Sequence, residues 1–499
     1  MLARHDWITP TLGGQPWLEK PVLYYWQAMV AYKIFGVSDW AARLPSAIDA
    51  TLMVIAVFVF LRIFRPGFEL DGALVTASTA GIIGFARAAS MDMPLAAAFA
   101  IAMLAWYAWY ESGSKTWLVI FYAFVALGTL AKGPIAPFLA AIIVIAFAAI
   151  RKDLKVVIKT LWVPGIVIFL LVALPWYIVV QLRNPEFFRV FILEHNFSRF
   201  GTNLYHHPQP IWFYVPVVLI GLLPWAVFVI AALGETIRAW WAEKASAYQP
   251  KDAFNLFLAI WFVLPVVFFS LSQSKLPGYI LPALPAGTLL LAEYVRHRSQ
   301  DNQKSSSILI LLHSVMAALL PPLALLLQYI VVQRRIPLNL VSVFALTLTI
   351  ALSLAIGVTL RSHPSLRLLR FVTPVSVFLA IFVVMRFHVH FLDERFSTRP
   401  LSETISHVDN GSLPTAVLKV SREIEYGLHF YRNQSIARYE SGEIPAGEHI
   451  LIAPHALTSE EIKQKLPGRR VSYLGTDQPQ HLDYFWISQP GMTMDHMKM

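Results

Sequence analysis

Four short stretches collect side chains that could do chemistry. Glu19 and Lys20, followed by Pro21, sit inside TPTLGGQPWLEKPVLYYW, Thr9 to Trp26, ringed by Trp and Tyr. Asp92 stands in SMDMPL, residues 90–95, two positions ahead of Pro94. RNPEFFRVFILEHNFSRFGTNLYHHPQP, residues 183–210, brings Arg189, Glu194, His195, Arg199, His206 and His207 into one aromatic run. SQSKLPGYILPALP, residues 272–285, carries Lys275 and Tyr279 around a Pro-Gly break. Each has an ordinary reading: an interfacial salt bridge, a helix cap at Asp92, hydrogen-bonding histidines, and a turn with an aromatic anchor. Taken together they offer Lys, Arg, His and Tyr donors with few carboxylates, which suits an anionic group, phosphate above all. His195, joined by a carboxylate from elsewhere, could also hold a divalent metal such as zinc or magnesium.

The elements that must position these residues are membrane helices. Of 499 residues, 57% are hydrophobic and 14% charged, where a soluble domain carries about 25% charged. Apolar runs long enough to cross a bilayer recur along the first four-fifths of the chain. Twelve candidate spans are expected, at 40–62, 71–88, 93–111, 117–131, 135–150, 160–181, 210–233, 254–271, 277–295, 307–331, 338–360 and 369–387. There is no cysteine, which excludes disulfides and thiolate metal sites. The formal charge of +10 does not point to nucleic acid, because the basic residues collect in alternate connectors. Those connectors hold Arg62 and Arg65, Lys115, Arg151 to Lys159, Arg238 to Lys251, Arg296 to Lys304, and Arg361 to Arg370. The positive-inside rule assigns that set to the cytoplasm. The four candidate stretches then share the external face, where polar residues at the mouth of a bundle are functional candidates.

Three regions follow. Residues 1–39 form an external amphipathic and aromatic segment, with Tyr24, Tyr25, Met29, Tyr32 and Phe35 near helical spacing. Residues 40–390 form the helical bundle. Residues 391–499 read as a small extracytoplasmic α/β domain, with strands at 415–420, 435–440, 449–454, 470–475 and 483–488 and helices at 422–432 and 458–466. A phosphate held at the outer face beside an apolar bundle suggests a lipid-linked phosphate. A transporter or lipid flippase is the competing reading, since twelve spans also suit transporters. No internal repeat supports it, and a transport site belongs near the midplane.

DWITPTLGGQPWLEKPVLYYW, followed by YKIFGVSDWAARLPSA, closely resembles the first external loop of bacterial GT-C glycosyltransferases, relatives of protein O-mannosyltransferases and of the lipid A aminoarabinose transferase. SMDMPLA, LAKGPIAP, LPWYIVVQLRNPEFFRVFILEHNFSRF, GLLPWAVF and SKLPGYILPALP match further blocks of that family in the same order, across roughly residues 5–290. The resemblance implies a polytopic GT-C fold in a bacterial inner membrane. It implies sugar transfer at the external face from a polyprenyl-phosphate donor to a lipid, glycan or protein acceptor, with inversion at the anomeric carbon. It also implies roles. Lys20 and Tyr279 would approach the donor phosphate, with Arg199 and Lys275 as further contacts. Glu19 and His195 would hold a metal, and Asp92 matches the family's aspartate ahead of the membrane proline. The family normally carries a further span and an acidic motif with its presumed base before the DWITP block. Neither stands ahead of Asp6 in this sequence. If the chain starts at Met1, little transferase activity is expected unless another carboxylate, Asp92 above all, supplies the base.

Overall fold

The computed structural model describes residues 1–191, 194, 209–245, 253–300, 306–327, 340–362, 366–409, 411–457 and 459–490. Two compact units divide the chain. The first is Met1–Pro10, Pro16–Leu323 and Asn339–Ala380; the second is Thr11–Gln15, Ala324–Leu338 and Ile381–Met499.

The first unit opens with α1 (Leu23–Phe35), which buries Tyr24, Ala28, Met29 and Ala31 along one face. Gly36, at φ 81°, ends it by turning the chain where a side chain would be strained. Ser38 accepts the Ala41 N–H and starts α2 (Asp39–Phe64). Next come α3 (Glu69–Ala77), α4 (Ala80–Ala86), α5 (Asp92–Ser112), α6 (Lys115–Lys132), α7 (Ile135–Ile150), α8 (Lys155–Thr160) and α9 (Val163–Arg183). From residue 214 the bundle continues with α10 (Tyr214–Gly221), α11 (Ala226–Ala245), α12 (Ala253–Ser270), α13 (Leu284–Gln300), α14 (Ser307–Leu325), α15 (Leu340–Ser362) and α16 (Leu366–Phe387).

Among the described residues, eight helices are long and apolar enough to cross a membrane, or nine if the bent pair Ile211–Gly221 and Ala226–Ala242 counts as one. These eight fall on eight of the twelve expected spans, and the other four take different forms. The stretch expected as one span at 71–88 is two helices of 9 and 7 residues. Ser78 and Thr79 turn their hydroxyls back onto the Leu74 and Val75 carbonyls, and Ala80 N–H donates to the Leu223 carbonyl instead of continuing the helix. The expected span at 210–233 bends by 116° at its break. The segment at 135–150 is an apolar helix of 16 residues, short of full spanning length, whereas α15 runs the 23 residues Leu340–Ser362.

The unit's core is aromatic. Trp106, Phe147, Phe257 and Trp261 are fully buried, and Trp106 stacks on Phe257 with ring centroids 5.3 Å apart. Trp261 Nε1–H donates to the Pro282 carbonyl at 2.9 Å, tying α12 to the 3-10 turn Pro277–Ala283.

The second unit holds a five-stranded sheet made of β1 (Thr415–Val417), β2 (Ala437–Arg438), β3 (His449–Pro454), β4 (Arg470–Asp477) and β5 (Leu482–Ser488), in the order β2-β1-β3-β5-β4. β1 pairs in parallel with β2 and β3, while β5 is antiparallel to β3 and β4. Both faces of β3 are covered, as period-two alternation requires of a central strand. Ile450 and Ile452 meet Leu401, Ile405 and Leu428 on one face. Leu451 and Ala453 meet Ile462 and Leu466 on the other. This is the small α/β domain expected from the sequence.

Candidate functional site

α5 begins at Asp92. Met91 occupies the cap position, and the Asp92 backbone N–H donates to Ser90 Oγ at 3.3 Å. Asp92 thus stands in the first turn of the helix, where a carboxylate also meets the helix dipole. The carboxylate forms an ion pair with Lys132, the last residue of α6. Gly133, at φ 87°, stops α6 there, and a Cβ on it would lie 2.6 Å from the Phe191 ring. Lys132 is thus held at a helix end by a turn that only glycine fits.

Two residues from the SKLPGYILP block complete the group. Lys132 Nζ lies 4.6 Å from the centroid of the Tyr279 ring, a cation–π distance. Gly278 packs directly on Asp92: a Cβ there would come within 2.7–2.9 Å of the carboxylate atoms. Tyr279 is braced by Phe269, with ring centroids 5.2 Å apart. Asp92, Lys132, Gly278 and Tyr279 therefore come from three separate parts of the sequence and meet at one end of the bundle.

The Glu19-Lys20 segment approaches the same end. Three residues beyond Lys20, Leu23 packs against Leu95, Ala131 and Ala136, which flank Asp92 and Lys132 in sequence. Glu19 and Lys20 are half-buried. Burial first, and then the nearby Glu19 charge, push the Tyr25 phenol above its usual range. The N-terminal segment is fastened to the outer end of α9. Trp176 Nε1–H donates to the Ile8 carbonyl at 3.0 Å, Asn184 Nδ2–H to Thr9 Oγ1 at 3.0 Å, and Arg183 pairs with Asp6 at 3.1 Å. Burial disfavours the Asp6 carboxylate, but the Ile8 and Thr9 N–H groups and the Arg183 and Arg4 charges outweigh it and hold its pKa below the usual range.

The remaining expected residues fare differently. Lys275 is 6% exposed, and its ammonium donates to the Ser272 carbonyl at 2.6 Å and to the Gln209 carbonyl at 3.0 Å. It braces the turn that carries Tyr279. Arg199 and His195 lie outside the described residues. Among the described residues, no group of three or more His, Asp or Glu side chains is placed to hold a metal. Glu19 alone is one ligand where zinc takes three or four, so no step of the chemistry is routed through a metal here.

Sequence reasoning missed two residues. Lys132 appeared only as part of the LAKGPIAP block and was given no role, yet it joins Asp92 to Tyr279. Asp49 lies within α2, 8% exposed, and accepts both 3.0 Å contacts from Gln27 Nε2 on α1. An ionisable residue inside an apolar span was the available signal.

The comparisons with known proteins bear on this geometry. The family described as dolichyl-phosphate-mannose-protein mannosyltransferase matches residues 19–179, the segment containing Glu19, Lys20, Asp92 and Lys132. An undecaprenyl phosphate-alpha-4-amino-4-deoxy-L-arabinose arabinosyl transferase of Pseudomonas fluorescens is 30% identical over 305 residues, covering 59% of this chain and 51% of its own length. A relative of the same description from Yersinia pestis is 30% identical over 303 residues, covering 59% of this chain and 52% of its own. The chain thus spans about half the length of the curated relatives it matches. Among solved structures, ArnT from Cupriavidus metallidurans, crystallised with undecaprenyl phosphate, superposes with a TM-score of 0.77 at 19% identity, covering 97% of this chain and 91% of that one. At that identity the likeness speaks for the fold. The matched segment, the relatives and the shared fold point the same way: this chain is similar to the dolichyl-phosphate-mannose-protein mannosyltransferase family over residues 19–179 and to the arabinosyl transferases over 305 residues, on a fold like that of ArnT.

Proposed function

We propose that this protein is an inner-membrane glycosyltransferase. It takes a sugar from a polyprenyl-phosphate carrier at the external face and passes it to a hydroxyl of a lipid, glycan or protein acceptor. The observation that carries this reading is the Asp92–Lys132–Tyr279 group at the outer end of the bundle.

The reaction needs few parts. An acceptor oxygen attacks the anomeric carbon, the bond from that carbon to the phosphate oxygen breaks, and the polyprenyl phosphate leaves with the bonding pair. A phosphate leaves well without a general acid, so the protein's task is to stabilise its charge. Lys20, Lys132 and the Tyr279 hydroxyl serve that purpose, with Arg199 as a further cation. Preorganised donors act strongly here because apolar helices exclude water from around them. The acceptor proton must pass to a base. Asp92 fills that role in a second stage: as phosphate charge develops, Lys132 turns toward it and releases the carboxylate. Glu19 and His195 remain proposed as metal ligands, with no part in these steps.

The test uses purified protein reconstituted into liposomes with a radiolabelled polyprenyl-phosphate sugar and a lipid acceptor. Label moving into the acceptor fraction supports the proposal. Label that only changes leaflet, with no transfer, would make the protein a flippase and overturn it.

A further inference from the structure

At the opposite end of the bundle lies a second site with a different chemistry. A cavity of about 730 Å³ opens between the far ends of α2, α5, α7, α12 and α13, with α8 at its edge. Asp92 and Glu111 stand at the two ends of α5, roughly 28 Å apart at the rise of a helix, so the cavity sits about a bilayer core away from the candidate transfer site. Its connectors are the basic ones, which the positive-inside rule assigns to the cytoplasm.

The walls are cationic and built. Arg65, Arg151, Lys159 and Arg296 line the cavity against two carboxylates, Glu111 and Asp153. Arg65 forks onto Glu111 at 2.8 and 3.1 Å and lies 3.6 Å from Glu293. Arg296 forks onto the same Glu293 at 2.9 and 2.6 Å. Glu293 is 1% exposed, so it locks both guanidiniums from behind. Below them the floor is aromatic: Arg65 lies 5.2 Å over the Phe254 ring, and Phe254 packs on Tyr107 with centroids 4.6 Å apart.

The rim identifies the kind of occupant. α8 and the residues flanking it carry Lys155 and Lys159 beside an exposed apolar run of Leu154, Ile158, Leu161 and Val163, each 60–71% exposed. A free phosphate or a soluble nucleotide has no use for that run. A lipid does: its headgroup enters the cationic cavity and its acyl chains lie on the apolar rim. Basic pockets between helices at the cytoplasmic leaflet are where anionic headgroups dock. We propose that this cavity binds the phosphate headgroup of an anionic phospholipid of the inner leaflet, independently of the transfer chemistry at the other face.

The experiment titrates purified protein in nonionic detergent with dioctanoyl phosphatidylglycerol, dioctanoyl phosphatidylcholine or inorganic phosphate, and follows the melting midpoint. Phosphatidylglycerol should raise the midpoint saturably, by roughly 2–4 °C at many times the dissociation constant. Phosphatidylcholine and inorganic phosphate should not. The shift should fall below half in the Arg151→Gln, Lys159→Gln double variant and persist in Arg151→Lys, Lys159→Arg. A photoactivatable phosphatidylglycerol should crosslink within residues 150–163. An equal shift with inorganic phosphate would assign the cavity to a soluble anion and overturn the lipid. An unchanged shift in the charge-removing variant, or crosslinks only elsewhere, would overturn the site.

Discussion

At the scale of single residues, the contact that defines the candidate transfer site is Gly278 against Asp92. A methyl group at 278 would sit 2.7–2.9 Å from the carboxylate, closer than carbon and oxygen allow, so Gly278→Ala must move Asp92, Tyr279 or both. Both residues stand at the site, with Tyr279 at the edge of the bundle core. We expect Gly278→Ala to insert and fold normally yet lose transfer activity by a factor on the order of 10². Lys132→Ala should lose as much, because it removes the cation between Asp92 and Tyr279. The check is sugar transfer per mole of protein eluting as a monodisperse peak. Near-normal transfer by either variant would separate this group from the chemistry.

At the scale of elements, the bundle holds its irregular helices with ion pairs placed where apolar packing runs out. The short α3 cannot span or anchor itself, and its Asp71, 1% exposed, accepts from Arg370 of α16 at 2.6 Å. Removing one partner of a buried pair leaves the other charge desolvated, at a cost of about 3–5 kcal/mol. Arg370→Gln should therefore lower the melting midpoint sharply. Asp71→Asn combined with Arg370→Gln should recover much of the loss, because no lone charge remains. A double variant as unstable as Arg370→Gln alone would show that Arg370 acts through packing.

At the scale of the whole molecule, stability depends on pH through the C-terminal unit. His449 is fully buried at the start of β3. Its Nδ1–H donates to the Gly447 carbonyl, and its Nε2 accepts the Tyr439 hydroxyl. Burial, followed by the Arg469 charge, pushes the imidazole below its ordinary value despite the favourable Gly447 contact. A pKa lowered by folding means that the unfolded chain binds the extra proton first. The neutral ring's contribution is fully present above about pH 6.5, the unfolded value, and is lost as pH falls from there toward the folded value. The limiting slope is about 1.4 kcal/mol per pH unit for one proton. Hydrogen exchange in 449–454 should speed up between pH 7 and pH 5 beyond the intrinsic chemical trend. His449→Gln should flatten that excess, and an excess equally steep in the variant would assign it to other groups.

Class was legible in the order of residues because it rests on local signals. Apolar runs and the sorting of Lys and Arg between connectors mark a membrane bundle whatever the helices do next. Near-continuous apolar runs in HILIAP and DYFWIS mark strands with both faces covered, as β3 and β5 are. Asp92, Lys20 and Tyr279 stood out because polar groups at the mouths of spans are costly to keep without a use. Span count was less legible: hydropathy at 71–88 sums over a window and cannot see that Ser78 and Thr79 bond back onto their own helix and break it.

Partnership was decided only by the tertiary structure. Asp92 and Lys132 are forty positions apart, and Tyr279 is far from both. Nothing in their spacing says that the end of α6 delivers a lysine to the start of α5. The same holds for Lys275, which read as a phosphate ligand until the fold turned two backbone carbonyls onto its ammonium. It holds as well for Arg65, Glu111, Glu293 and Arg296, four ordinary charges near helix ends until packing made them one wall. A charge's job is set by what desolvates and faces it, and in a helical bundle those neighbours come from other helices.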